Sequence, residues 1–434
     1  MTRSLPILFR IITCSAGVGL FAGSLGFLFA ESLDAAVRMH RSFPLLLWLL
    51  PIVSWGLLSF QKRWGASTQR GQALLLEELE SSEARTPKRL IPTLWGSALL
   101  SQLVGASVGR EGGAVQLGGA VGSLGARIFG TSTPEQRARW IIAGMSGGFA
   151  GCFGTPFAAA LFALEVRSTT QIERSLALDA ILGSALGFLA RLGIQNVFGL
   201  VTAQTSWPAA PWTRELLLSP RALLASVSLI LLLALVGRVT LRGWTFLKRH
   251  APQTLWLRAL TLSACFLLLE KTFDPSGRLQ GLGIETLQGF FQNPPSGLDV
   301  PGKVFATGVS LSLGFKGGEF IPLAFIGAGT GSALASNFAL PLGPFAAAGF
   351  IALFGGLAQT PLSMIVLALE LFVPVSSGGT LLAFLLPSLL AFGAITWGTF
   401  LLSPERGIYD GQKSPVRTRK GRLALRPWEY FNRS

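Results

Sequence analysis

The chain has 434 residues, of which half are hydrophobic and only 13% are charged, and its mean hydropathy is +0.54. A soluble chain carries about 25% charged residues, so this composition excludes an ordinary soluble domain and indicates a lipid environment. The net charge of +15 does not favour nucleic acid as a partner, because the basic residues lie between apolar stretches and in the C-terminal tail rather than on one soluble domain.

The first apolar stretch runs from residue 6 to residue 32 and follows Arg3 and Arg10. It is longer than a usual signal core, and its small residues recur every three or four positions, as on a packed helix face. We therefore expect a retained first transmembrane helix. Further apolar stretches follow at 43–60, 90–108, 112–130, 138–166, 175–200, 217–241, 255–270, 301–315, 320–336, 344–371 and 378–403.

Several of these stretches are shorter than the roughly 20 residues that a helix needs to cross a bilayer, or are cut by glycine and proline. Broken helices are tolerated in a membrane where protein buries them or where they line a watery cavity, and in transporters they mark the substrate site. The pattern predicts an all-α polytopic membrane protein with a transport function.

An internal repeat relates two halves of the chain, which we place at residues 1–205 and 206–410. Residues of one type recur after a single shift of 205 positions: Gly109 and Gly314, Gly112-Gly113 and Gly317-Gly318, Thr155-Pro156 and Thr360-Pro361, Glu165 and Glu370. Duplicated halves with the site at their interface are a common transporter plan. A short basic tail at 411–434 follows, and the positive-inside rule places it in the cytoplasm.

The sequence offers little for enzyme chemistry. Three cysteines are scattered in apolar stretches, and the two histidines, His40 and His250, lie far apart. No Gly-Lys-Ser/Thr follows the glycine-rich segments, and no zinc, kinase or hydrolase motif occurs. We expect no enzymatic reaction, no metal and no cofactor.

Glu111 lies in the glycine-rich segment Gly109-Arg110-Glu111-Gly112-Gly113, where an ionised acid at membrane depth costs about 2.5–3.5 kcal/mol on insertion scales. A helix that begins here would present its positive end to an anion. A carboxylate at the same place competes with that anion, leaves when protonated and returns when charged. The alternative is an Arg110–Glu111 ion pair that only closes a helix end, and the residues alone leave both interpretations open.

Three further acids lie at membrane depth. Glu319 follows Gly317-Gly318 and is the expected counterpart of the Glu111 region, displaced by three residues. An acid beside an anion path must be protonated or move protons; the alternative is a salt bridge to Lys316. Glu165 and Glu370 end matched helices, and their symmetry predicts a structural role in binding backbone N–H groups or a nearby arginine.

At these residues the chain resembles the CLC family of chloride channels and anion/proton antiporters. The resemblance rests on Gly109-Arg110-Glu111-Gly112, the Gly-Gly-x-Phe-x-Pro segment at 317–322, the repeated glycine-rich stretches ending in Thr-Pro, and Tyr409 after the last apolar stretch. It implies a CLC-type fold with two inverted halves and about eighteen membrane helices of uneven length, many broken or re-entrant. It also implies a homodimer with one pore per subunit.

The resemblance assigns roles to single residues. It implies that Glu111 is the external gating glutamate, and that the backbone around Phe320 and Ile321, together with Tyr409, lines the central anion site. Other positions expected along the anion pathway are Arg110, Gly112, Gly113, Gly318 and the stretch around Gly71 and Gln72.

Four departures from the usual family pattern are informative. Most relatives have proline where this chain has Gly113, and the segment with a chloride-binding serine is replaced by a stretch near Gly71 and Gln72 that lacks the motif. Val166 stands where many antiporters keep an internal proton glutamate, and Glu319 replaces an apolar residue. This set resembles the fluoride-exporting branch, the bacterial F⁻/H⁺ antiporters, in which an acid after Gly-Gly is typical.

We therefore expect proton-coupled fluoride export across the inner membrane, with Glu111 as gate and proton carrier and Glu319 in the internal proton route. A chloride/proton antiporter is the first alternative. A passive anion channel is the second, because Val166 removes the usual internal proton acid. A membrane scaffold without transport is the third, and the intramembrane acids argue against it because a structural bundle has little reason to bear their cost.

Overall fold

The computed structural model describes residues 4–63, 72–80, 86–130, 133–166, 174–199, 207–274, 276–373, 380–404 and 408. This part of the chain is almost wholly helical, with seventeen α-helices, and its only β-type pairing is one isolated bridge. The expected all-α architecture is confirmed.

The helices of the first half are α1 (Ser4–Ser42), α2 (Leu50–Arg63), α3 (Gln72–Glu80), α4 (Leu90–Leu103), α5 (Glu111–Ile128), α6 (Pro134–Phe153), α7 (Pro156–Glu165) and α8 (Ala177–Phe198). Those of the second half are α9 (Arg214–Leu218), α10 (Pro220–His250), α11 (Leu255–Phe273), α12 (Ile284–Gly289), α13 (Asp299–Ser312), α14 (Phe320–Asn337), α15 (Leu342–Ala358), α16 (Pro361–Phe372) and α17 (Thr380–Leu402). Short 3₁₀ turns, Pro44–Leu49 and Arg174–Leu176, precede α2 and α8.

Five described segments have the length and composition to cross a membrane: Cys14–Ser42, Pro44–Arg63, Ala177–Phe198, Pro220–His250 and Ala383–Leu402. Other helices are short, such as α7 with ten residues. Residues 138–166, expected as one apolar stretch, split into α6 and α7 because Gly154 takes a left-handed conformation (φ 77°) and Pro156 begins the next helix. Uneven and interrupted helices are therefore the rule, as expected.

The first helix is longer than the sequence suggested. We expected it to end near residue 32, but α1 continues to Ser42. No glycine or proline interrupts residues 27–43, and Pro44 follows. The extension places Glu31 and Asp34 on the same helix as the apolar stretch.

Within each half, glycines let two neighbouring helices pack backbone to backbone. A Cβ at Gly118 of α5 would collide with the carbonyl of Gly144 in α6, and a Cβ at Gly327 of α14 would collide with that of Gly349 in α15. Small residues at such crossings are the usual means of close helix approach in membranes. The same packing mode thus recurs in both halves.

The repeat follows two offsets rather than one. Helices α4 and α5 match α13 and α14 at a shift of 209 residues at both ends, whereas Pro156 and Pro361 begin α7 and α16 at a shift of 205. The difference arises because α15 has 17 residues where α6 has 20, and because the connection before α15 is one residue shorter. The expectation of one uninterrupted offset was therefore wrong.

The corrected offset changes the pairing at the glycine-rich breaks. Gly318, not Gly314, is the counterpart of Gly109, and the two residues form the isolated bridge. At the same offset, Phe320 is the counterpart of Glu111, since each begins its helix. Glu319 is accordingly the counterpart of Arg110, and not of Glu111 displaced by three residues.

Glu165 and Glu370 tie the halves together reciprocally. The Glu165 carboxylate accepts hydrogen bonds from the backbone N–H groups of Leu362 (2.9 Å) and Ser363 (2.8 Å) at the start of α16. The Glu370 carboxylate accepts from Phe157 (3.1 Å) and Ala158 (2.7 Å) at the start of α7. Each acid neutralises a helix N-terminus of the other half. The predicted role in binding backbone N–H groups is confirmed.

Candidate functional site

Two interrupted helix pairs meet at a pair of glycines. The Gly109 N–H donates to the Gly318 carbonyl oxygen (2.7 Å), and the Gly318 N–H donates to the Gly109 carbonyl oxygen (2.8 Å). Gly105 (φ 76°) and Gly314 (φ 82°) turn the chain after α4 and α13 in left-handed conformations that suit glycine. The symmetric contact brings together the breaks that precede α5 and α14.

Glycine is needed here because the two backbones touch. A Cβ at Gly109 would lie 2.6 Å from the Gly318 carbonyl oxygen, and one at Gly318 would lie 2.7 Å from the Gly112 nitrogen. The N–H groups of Gly109 and Gly318 each donate to the carbonyl oxygen of the other residue and therefore do not face a cavity. The N–H groups in the first turns of α5 and α14 have no intrahelical acceptor. The site therefore combines two positive helix ends in one buried region.

Glu111 is the first residue of α5 and its side chain is 2% exposed. Its Oε2 atom accepts a hydrogen bond from the Arg110 backbone N–H (3.0 Å), so the carboxylate folds back onto its own helix N-terminus. Its Oε1 atom accepts no hydrogen bond from the described residues. A carboxylate thus occupies a position where a helix N-terminus would bind an anion.

Arg110 is balanced by a different acid. Its Nη1 atom lies 2.5 Å from Oδ1 of Asp34 and donates to the carbonyl oxygen of Ala30 at 3.1 Å. Its Nε atom lies 3.7 Å from Oε1 of Glu111, beyond hydrogen-bond distance. Because Asp34 neutralises the guanidinium, Glu111 is not needed to do so. This favours a mobile Glu111 over the alternative of a sealing Arg110–Glu111 ion pair.

Sequence reasoning missed Asp34. The available signal was the pair Glu31 and Asp34, which are three residues apart on a helix with no breaker before Pro44. Acids at that spacing share one helix face, and membrane helices bury such charges against a partner.

Gly113 is required by packing. A Cβ at this position would lie 2.9 Å from two ring carbons of Phe29, which is fully buried on α1. Phe29 itself packs edge to face on Trp95 of α4, with ring centroids 5.6 Å apart. The departure from proline at Gly113 therefore has a steric cause within this chain.

The start of α14 is enclosed by aromatic rings. Phe320 and Ile321 are 2% and 0% exposed. The Phe320 ring contacts Phe153 of α6 and Phe354 of α15, with centroid distances of 5.1 and 4.6 Å. An anion at this N-terminus would lose contact with bulk water, and electrostatic attraction to the helix end strengthens as the surroundings become less polar.

Glu319 precedes α14 as its N-terminal flanking residue. The cations that act on it electrostatically are Lys316 and Lys248, the latter at the end of α10. Lys316 also borders a small cavity between α2, α4 and α5, whose polar lining consists of Gln61, Thr93, Ser97 and Gln116. The second break therefore carries an acid and a cation where the first carries Arg110 and Glu111.

Three expected site residues are not described by the structure, or are described without their side chains. Gly71 and Tyr409 lie outside the described residues, and Gln72 begins α3 without a described side chain. Nearby anchors are described. The Ser123 hydroxyl of α5 donates its hydrogen to the Glu78 carboxylate of α3, whose two oxygens lie 2.8 and 2.9 Å from it. The Ile408 N–H donates to the carbonyl oxygen of Leu357 in α15 (2.9 Å).

Comparison with known proteins identifies the family. The family model described as voltage gated chloride channel matches residues 52–393. The chain belongs to the CLC family. A chloride/fluoride channel protein of Pseudomonas syringae pv. tomato is 33% identical over 414 residues, which cover 94% of this chain and 87% of that relative. An H⁺/Cl⁻ exchange transporter of Vibrio campbellii is 26% identical over 400 residues, covering 85% and 83%.

Solved CLC structures share the fold. A CLC-type fluoride/proton antiporter superposes with a TM-score of 0.76 at 26% identity, covering 91% of this chain and 98% of that one. A slow cyanobacterial Cl⁻/H⁺ antiporter superposes with a TM-score of 0.68 at 19% identity, covering 91% and 97%, and this likeness concerns the fold alone. The chain therefore has a CLC-type fold. It is an integral membrane protein of the class that comprises anion channels and anion/proton antiporters.

Proposed function

We propose that this CLC protein exports fluoride in exchange for protons, with Glu111 as the gating and proton-carrying residue. The observation that carries the proposal is the Glu111 carboxylate itself. It is buried on the N-terminus of α5 with one oxygen unbonded among the described groups, while Asp34 balances the neighbouring Arg110.

Protonation of Glu111 supplies the coupling. A neutral carboxyl group is no longer attracted to the positive end of α5, so it leaves that position and an anion takes it. When the proton is released, the recharged carboxylate displaces the anion. Because proton and anion alternate at one place, movement of one requires movement of the other in the opposite direction.

The anion pathway would run along the first turns of both helices. Gly112 and Gly113 of α5, and Phe320 and Ile321 of α14, present backbone N–H groups near the contact at Gly318. We assign Tyr409 to the same pathway because the preceding residue, Ile408, is anchored to α15 beside the aromatic rings around Phe320. The stretch at Gly71 and Gln72 would complete the anion pathway, since α3 is hydrogen-bonded to α5.

Fluoride is favoured over chloride by the relatives and by the altered lining. The relative with 33% identity is called a chloride/fluoride channel protein, and the structural neighbour with 26% identity is a fluoride/proton antiporter. Fluoride is smaller and more strongly hydrated than chloride, so its site needs different donors from a chloride-binding serine. Glu319 would then serve the internal proton route, because the buried Val166 offers no acid at the usual place.

We further propose the setting of this activity. The protein would act as a homodimer with one pore per subunit in the inner membrane, with its basic tail in the cytoplasm. Its repeat halves, 1–205 and 206–410, would meet at the pore through Gly109 and Gly318.

Anion efflux from proteoliposomes, recorded with a fluoride electrode, a chloride electrode and an internal pH dye, tests the proposal. We expect fluoride efflux accompanied by proton uptake, with chloride much slower. Glu111→Gln should abolish proton movement. Glu285→Gln, at an exposed acid paired with Arg41, is the matched control and should behave as wild type.

Other outcomes would identify other functions. Chloride efflux faster than fluoride efflux, still with proton uptake, would indicate a chloride/proton antiporter, as the Vibrio relative is named. Anion efflux without proton uptake would indicate a passive channel. Vesicles inert to both anions would contradict transport altogether.

A further inference from the structure

His40 lies near the end of α1, 5% exposed, with both ring nitrogens engaged. Its Nδ1 atom lies 2.9 Å from the carbonyl oxygen of Leu103, the last residue of α4. Its Nε2 atom lies 2.7 Å from Oε1 of Gln280. The ring also packs on Gly105, where a Cβ would lie 2.6 Å from Nε2. His40 therefore contacts the break that leads from α4 to Glu111.

The partners of His40 determine its protons. A backbone carbonyl only accepts hydrogen bonds, so Nδ1 facing Leu103 must carry hydrogen. The side-chain amide of Gln280 donates through its nitrogen to Oε2 of Glu270 (2.8 Å), which turns its oxygen towards His40. With the amide in this orientation Nε2 carries hydrogen as well, and His40 is then an imidazolium cation.

A second arrangement of the same three side chains satisfies every bond with neutral groups. If the Gln280 amide is turned over, its NH₂ donates to an unprotonated Nε2 of His40, and a protonated Glu270 donates to the amide oxygen. One proton thus belongs to the chain His40–Gln280–Glu270 and rests at either end of it. Loss of that proton leaves one hydrogen bond unmade.

Both ends of this hydrogen-bonded chain are buried, Gln280 is half-buried, and charged groups lie around it. Glu270 is 1% exposed, and its charged neighbours are Asp274 and Lys303. The Lys303 ammonium donates to the carbonyl oxygens of Leu279 (2.9 Å) and Gly281 (3.1 Å). The Gly281 N–H in turn donates to the carbonyl oxygen of Gly105 (3.2 Å). Other charged groups described near the cluster form ion pairs: Arg41 with Glu285, and Arg278 with Asp274 and Asp299.

We propose that His40, Gln280 and Glu270 form a proton-binding site, separate from Glu111, that holds the α4–α5 break in place while the proton is bound. Once this shared proton has left, two acceptors face each other and repel: either Nε2 of His40 and the Gln280 oxygen, or the turned Gln280 oxygen and the Glu270 carboxylate. One contact of the three side chains is then given up, and the anchor on Leu103 and Gly105 loosens. Anion exchange should therefore slow as pH rises and the shared proton is lost.

The protonation state of His40 is directly observable because the protein has only two histidines. In the His250→Gln protein, reconstituted in nanodiscs with ¹⁵N-labelled histidine, every histidine signal belongs to His40. We expect Nδ1 to carry hydrogen throughout, and the signal of Nε2 to change between about pH 5 and 8 as the shared proton leaves. An Nε2 signal that does not change over that range would overturn the proposal, whatever the anion transported.

The functional consequence has its own test. His40→Asn retains an N–H donor for Leu103 but does not titrate. We expect wild-type fluoride efflux to fall about tenfold across the titration, the factor that one lost charged hydrogen bond corresponds to, and His40→Asn to lose this dependence. His250→Gln is the matched control, since His250 bonds only within its own helix to the carbonyl oxygen of Phe246, and it should keep the wild-type profile. An unchanged profile in His40→Asn would refute the role in exchange.

Discussion

The ion pair between Arg110 and Asp34 provides the sharpest test of how Glu111 stays mobile. Replacing Asp34 by Asn leaves the size of the side chain unchanged and removes the charge that lies 2.5 Å from the Arg110 guanidinium. Arg110 is 1% exposed and Asp34 is 15% exposed, so water replaces little of the lost interaction. Breaking a buried pair by removing one partner costs about 3–5 kcal/mol.

Two acids act electrostatically on the freed guanidinium, Glu31 and Glu111, and among the described residues Glu111 is the one already within ion-pair distance. Its Nε atom and Oε1 of Glu111 are 3.7 Å apart, and neither is hydrogen-bonded among the described residues. A shift of less than about 1 Å makes that bond. We therefore expect Asp34→Asn to hold Glu111 in its present position and to slow fluoride efflux by more than tenfold, because a charged hydrogen bond is worth about 1.5–3 kcal/mol.

Thermal unfolding in detergent and fluoride efflux from proteoliposomes measure the two effects separately. Glu285→Gln removes an exposed ion pair with Arg41 and should change stability by no more than about 1 kcal/mol. Asp34→Asn should slow efflux strongly in the wild-type background. In the Glu111→Gln background the same substitution should slow efflux much less, because the acid that Arg110 would capture is gone. Wild-type stability and efflux in Asp34→Asn would refute the assignment of Asp34 as the balancing charge.

Four further substitutions probe the contacts at the site and between the repeats. Gly113→Ala places a Cβ against the Phe29 ring and should lower stability by about 1–3 kcal/mol; Phe29→Leu in the same chain should restore part of it in thermal unfolding, and no restoration would contradict a steric cause. Gly318→Ala collides with the Gly112 nitrogen and should abolish efflux, whereas Gly96→Ala, which meets nothing, should not; equal effects would argue against the close contact. Glu165→Gln and Glu370→Gln each weaken two backbone hydrogen bonds and should each lower stability by about 1–3 kcal/mol with proton coupling intact; loss of coupling in either would give that acid a transport role.

Much of the architecture could be predicted from composition and from residue types. Interrupted apolar stretches and acids at membrane depth predicted a polytopic protein with broken helices. The symmetry of Glu165 and Glu370 predicted that these acids bind backbone N–H groups or a nearby arginine, and each acid binds N–H groups across the repeat. These predictions succeeded because a proline or a lone acid in a membrane has few possible environments.

The exact pairing at the site could not be predicted in the same way. Glycine is so frequent, with 52 residues, that Gly109 matches Gly314 by type while its structural partner is Gly318. The lengths of α6 and α15 and of the connections before them distinguish the two offsets, and these lengths depend on tertiary packing. Asp34 was missed for a related reason, since whether a helix continues past residue 32 depends on what neutralises its charges.

The coupling between anion and proton at Glu111 is tested most directly by the reversal potential of fluoride current in a reconstituted bilayer under a pH gradient. We expect the wild-type reversal potential to shift with the pH gradient, and that of Glu111→Gln to follow the fluoride gradient alone. A wild-type reversal potential that ignores the pH gradient, or a Glu111→Gln variant that still responds to it, would contradict a proton-carrying Glu111.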